Sequence, residues 1–199
     1  NIKIPLRYNK YEYDEKKSYT KRLLDCLESL SDYKYIFFDH EDMFLYDRPD
    51  YEEINFYLQE LFNNKYEYIK LIKTSNSSYK PVKNSSTLFE FDFNSRWIFS
   101  IQPSFWNRDR LIDLINKIGD NTHWGFELKS QKYLKKLRIK SAFSHRQGKK
   151  RGIYHFDNNV YPYIATAIVK GQWNLKEYKS ELEYILAKCE IDPNLRGYF

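Results

Sequence analysis

The chain has 199 residues, of which 42 % are hydrophobic and 19 % aromatic, and a formal net charge of +6. That suits one domain with its own core, and no apolar run nears the ~20 residues of a membrane-spanning helix. Cys26 and Cys189 are the only cysteines, which excludes a disulfide framework or a cysteine metal site.

Charges of both signs are interspersed along the chain. The basic balance therefore reads as a solvated surface, with an anionic ligand as the alternative. The first residues lack the pattern of a signal peptide, so a cytoplasmic location is expected. Asn1 rather than Met opens the sequence, and a piece of a longer chain is expected on that ground.

Residues 16–31 place Leu23, Leu24, Leu27 and Leu30 at helical spacing, with Ser18 or Thr20 as cap. Tyr35 to Phe38 is a run of β-formers before an acidic cluster, which predicts a buried strand. Pro49-Asp50 opens a second helix over roughly 50–63, and Tyr66 to Ile72 reads as another strand. The polar stretch 74–87 reads as a loop. Phe89–Phe93 and Trp97–Gln102 predict a hairpin turning at Asn94-Ser95.

Asn107 can cap a helix to about Ile118, which Gly119 ends. A further helix is expected after Glu127, then the basic loop 144–152. Strands are expected in 153–156 and 161–173, and a final helix at about 176–188. The alternation of helices and strands predicts a single α/β layered domain over residues 1–199.

Chemistry concentrates in two places. Asp39, Glu41 and Asp42 stand with His40 directly after the first strand. Carboxylates at a strand end can hold Mn²⁺ or Mg²⁺ with positions left for phosphate oxygens. So many like charges repel without a cation or a basic partner. The alternative is a plain turn and helix cap. Farther on, Glu127 stands among Trp124, Phe126 and Leu128. A lone carboxylate in apolar surroundings suits a general base.

Four segments in this order, HEDMFL, IQPSFWNRDRLIDLI, WGFE and YPYIATAIVKGQW, resemble a group of small glycosyltransferases with the GT-A fold from microbial and viral polysaccharide biosynthesis. The likeness covers roughly residues 18–175. It implies a Rossmann-like mixed sheet flanked by helices. Only 38 residues precede Asp39, so a version of that fold shortened at its N-terminus is expected. The resemblance also implies a nucleotide-sugar donor, a saccharide acceptor and a divalent cation. It places the cation on Asp42, Glu41 and Asp39, and makes Glu127 the base. Lys170, Gly171 and Trp173 fall on the donor side, and Gln102, Trp106 and Trp124 on the acceptor side.

Three rivals stand beside it. One is a catalytically inactive domain of the same fold. A metal-dependent phosphodiesterase is the second, although His40, His123, His145 and His155 are scattered and read as structural. The third is a nucleic-acid-binding module built on the basic segments 132–140 and 145–151. Nucleic acid is not the expected partner, because the first segment reads as a helix with Leu134 and Leu137 inward and its lysines solvated.

Overall fold

The computed structural model describes residues 10–74 and 78–199. Helix α1 (Tyr19–Glu28) leads into strand β1 (Tyr35–Phe38), followed by α2 (Tyr51–Phe62) and β2 (Tyr68–Lys70). Short strands β3 (Lys73–Thr74), β4 (Tyr79–Pro81) and β5 (Leu88–Phe91) precede β6 (Ser104–Asn107). Helices α3 (Arg108–Ile118) and α4 (His123–Lys136) come next, then β7 (Ser141–Ser144). The chain ends with β8 (Lys150–Arg151), β9 (His155–Phe156), the hairpin of β10 (Ile168–Val169) and β11 (Gln172–Trp173), and α5 (Leu175–Lys188). Among the described residues no helix is long and apolar enough to cross a membrane.

Helix starts follow side-chain chemistry. Ser18, Asp50, Asn107 and Thr122 each accept a backbone N–H from the first turn of the helix they precede. That satisfies donors the helix itself leaves open.

The main sheet has six strands in the order β1-β6-β2-β7-β5-β4. Strand β6 lies antiparallel between β1 and β2, and β7 runs parallel to β2. The sheet is mixed and flanked by helices. Alternating residues feed two cores. Tyr68, Trp106 and Phe143 pack with α1, α3 and α4, whereas Ile69, Phe105 and Ala142 pack with α2 and Val160–Tyr163 on the other face. A third cluster joins Ile164, Ala167 and Trp173 to the inner side of α5.

Several sequence expectations change here. The 74–87 stretch contains a real strand, β4, paired with β5. The proposed hairpin does not form. β5 pairs with β7, which is distant in sequence, and residues 97–102 form no strand. Their backbone is held by α4 instead. Gln131 exchanges hydrogen bonds with Phe99 in both directions (3.2 and 2.7 Å), and the Ile101 N–H donates to Glu127 (2.9 Å). Helix α4 starts at His123, before Glu127, because Thr122 caps it.

Trp106 is also corrected. It does not face an acceptor but is fully buried, stacked on Tyr68 at 4.1 Å, with its Nε1–H donated to Ser104 Oγ at 3.1 Å. Its place in β6 puts it on the core face. Trp106→Ala should cost about 3–5 kcal/mol by cavity formation. A urea midpoint close to that of the parent chain would show that the ring is not a core element.

Candidate active site

β1 and β2 point the same way because each is antiparallel to β6. Their carboxyl ends open on one side, the usual place for a ligand crevice in a layered α/β sheet. A cavity of about 450 Å³ lies there. Asp42, Gln102, Trp124 and Glu127, far apart in sequence, all line it.

The acidic cluster forms a turn closed by the Met43 N–H on the His40 carbonyl (3.1 Å). His40, Glu41 and Asp42 each offer one ligand atom, and these atoms lie within 4.8 Å of one another. Asp42 is half-buried and lines the cavity with His40; Glu41 is exposed and is not part of the lining. Asp39 is outside this set, and His40 takes its place. The physical reason is the period of an extended chain. His40 lies on the side of Phe38 (ring centroids 5.2 Å), while Asp39 is felt by Tyr161 on the other face. Burial raises the Asp39 carboxyl to about 6, against the bond it accepts from the His40 N–H.

His40 Nε2 lies 3.1 Å from Tyr19 Oη. Burial, with Glu127 nearby, raises the Tyr19 hydroxyl well above its ordinary value, so it stays protonated. Burial also lowers His40, which favours the neutral ring that ligates metals. A ring ligating through Nδ1 would donate its Nε2–H to Tyr19, the outer bond that fixes such a ligand. One imidazole with two carboxylates suits Mn²⁺ better than the all-oxygen preference of Mg²⁺.

Glu127 is half-buried on α4. Its Oε1 accepts the Ile101 N–H, while Oε2 has no hydrogen bond among the described residues. The carboxylate is thus fixed at one oxygen and open at the other. Gln102 lines the cavity as a brace: its Oε1 accepts from Tyr163 (2.7 Å) and its Nε2 donates to the Ala165 carbonyl (3.3 Å). Trp124 is 54 % exposed at the rim.

The residues expected on the donor side do not join this cavity. Lys170 and Gly171 have φ of 50° and 83° between the paired Val169 and Gln172. They form the tight hairpin turn that needs positive φ at both positions, which accounts for the glycine. Trp173 is buried, with the Arg196 guanidinium 5.6 Å from its ring.

Sequence reasoning missed other members of the lining. His123, His155, Trp97 and Ser100 belong to it, so three of the four histidines read as scattered converge with His40 counted. For His40 the signal was in plain view inside the acidic string. Ser100 and Trp97 had none, since the loop that carries them is fixed by α4.

Lys70 ends β2 fully buried, its Nζ donating to the Trp97 carbonyl (3.1 Å) and Thr74 Oγ1 (3.3 Å). Both partners line the cavity. Trp97 has φ of 58°, a left-handed conformation that costs a bulky residue about 1–2 kcal/mol. Lys70 thus braces a strained wall of the site. Burial lowers Lys70 to about 7, partly offset by Glu127. Burial and the charge of Lys70 bring His155 down to about 4.

No protein-family model matches the chain, and a search of curated proteins found no match. The site has to be read from its own chemistry.

The Lys70 shift sets a pH dependence. The unfolded amine titrates near 10.5 and the folded one near 7. Between those values the unfolded state binds more protons, so stability from this group rises with pH across the window and is flat below it. Urea unfolding at pH 7, 8, 9 and 10 should show the parent chain gaining on Lys70→Met as pH rises. Parallel curves would contradict the shift.

Proposed function

We propose that the protein is a metal-dependent glycosyltransferase that moves a sugar from a nucleotide-sugar donor to a saccharide acceptor with inversion. The finer GT-A assignment belongs to the same proposal. The observation that carries it is the meeting of His40 and Asp42, two members of the possible metal-binding set, with Glu127 in one cavity rimmed by Trp124.

His40, Glu41 and Asp42 would hold a divalent cation, which would supply positive charge against the leaving diphosphate. Asp42, the carboxylate of the set that lines the cavity, would face the substrate. Glu127 takes the proton of the acceptor hydroxyl at Oε2, with Oε1 held by Ile101. The acceptor oxygen, deprotonated by Glu127, attacks the anomeric carbon in line as the nucleoside diphosphate leaves from the opposite face, which inverts that centre. The exposed ring of Trp124 offers an apolar face to a sugar. Gln102 keeps the floor in shape through Tyr163 and Ala165.

A second reading, a metal-dependent phosphodiesterase, is favoured by the lining of His40, His123 and His155 beside Asp42. Manganese-dependent hydrolysis of bis(p-nitrophenyl) phosphate without sugar transfer would select it.

The test is calorimetric titration of nucleoside diphosphates and nucleotide sugars with and without Mn²⁺. Metal-dependent binding of one nucleotide is expected, with the fold unchanged and that binding lost in Asp42→Asn. Binding to none of them, or binding indifferent to the metal, would sink the reading. Glu127→Gln should bind the same donor and lose about 10²–10⁴-fold in transfer rate. An unchanged rate in this variant would remove Glu127 from the base role.

A further inference from the structure

Beside the cavity of the candidate site lies a smaller annex of about 170 Å³, and Tyr154, His155 and Thr166 line both. The far wall of the annex is the Arg151-Gly152 turn, Asn174, Glu177 and Tyr178.

Two buried polar atoms in these linings lack partners. Ser100, 5 % exposed, lines the main cavity, and its Oγ has no hydrogen bond. Asn174, also 5 % exposed, lines the annex with an unpartnered Oδ1. Asn174 stands at the N-cap of α5, where an asparagine oxygen ordinarily accepts a first-turn N–H. Here it does not cap; its Nδ2 holds the Thr166 carbonyl instead (3.0 Å). Burying an acceptor unpaired is costly, so a hydrogen-bonding occupant is expected at each place.

The annex also states what that occupant is. Its one cation, Arg151, is consumed by Asp157 (2.7 Å), Glu181 and the Glu177 carbonyl. No charge remains for a phosphate, and Glu177 would repel one. What remains is an amide oxygen, the Thr166 hydroxyl, a carboxylate, an uncharged imidazole and the exposed face of Tyr154, 6.5 Å from the Trp97 ring. Hydroxyl groups on an apolar ring answer that set.

We infer that the annex is a second sugar subsite, adjoining the main cavity at Tyr154, so that the acceptor is a saccharide chain of at least two rings. This rests on the glycosyltransferase reading for the word acceptor, but not for the sugar subsite itself.

The probes are methyl glycosides of glucose, galactose, mannose and N-acetylglucosamine with their homodisaccharides, measured by saturation-transfer NMR and calorimetry. In at least one series the disaccharide should bind about tenfold more tightly than the single sugar, the worth of a buried hydrogen bond or two. Tyr154→Ala and Glu177→Gln should erase that gain. Tyr154 is 57 % exposed, and glutamine keeps an oxygen for the Gly152 N–H that Glu177 accepts, so both chains should fold. Equal affinity for one ring and two in every series overturns the subsite, as does no sugar binding at all, or a gain that survives both substitutions. Loss of the disaccharide's gain over the single sugar when pyrophosphate is added to the parent chain without metal would also overturn it. A length effect alongside no metal-dependent nucleotide binding would leave the subsite standing and sink the transferase reading.

Discussion

The antiparallel seating of β6 between β1 and β2 is the constraint on which the rest depends. It forces β1 and β2 to run alike, so His40 and Thr74 emerge at the same edge. It also forces the segment leading into β6 to come back to that edge, bringing Ser100 and Gln102 to face the acidic turn. α3 and α4 then follow β6 on one face of the sheet, and α4 delivers Glu127 to the same spot. One strand placement thus assembles carboxylates that are remote in the chain.

That edge is made rigid by unusual means. Residues 97–102 borrow hydrogen bonds from the side chains of Gln131 and Glu127 rather than from a neighbouring strand. Under them lies a buried amine without a carboxylate contact, Lys70, whose two hydrogen bonds suit the neutral form as well as the charged one. The arginines of the basic loop are spent in the same spirit. Arg146 pairs with Asp50 and Glu53, and Arg151 with Asp157 and Glu181. Their charge ties loops to helices instead of lying open on the surface.

Legibility followed locality. The extents of Tyr35–Phe38 and of the helix capped by Asn107 were readable because their apolar period and their boundaries lie within a few residues, but β1 is a half-buried edge strand with Phe37 exposed, not the buried strand expected, because only β6 pairs with it. β7, at the centre of the sheet, was not. Its SAFS sequence hides two buried serines, Ser141 satisfied at the nearby Ile139 carbonyl and Ser144 only by the fold, at Tyr57 and Asn158. Hydropathy cannot see a buried serine whose hydroxyl is satisfied. The same limit explains the site. Asp42 and Glu127 carried local signals, whereas the exchange of Asp39 for His40, the burial of Trp106 and the braced Trp97 wall depend on which face each residue meets.

Trp97 carries a final consequence. Its backbone conformation is one that glycine adopts freely. A glycine at 97 would relieve the strain and spare Lys70 its bracing task, but it would also delete a wall of the cavity. Comfort of the main chain and shape of the binding surface are therefore in direct conflict at this residue. A selection for thermal robustness alone would be drawn to position 97 and would erode recognition there first.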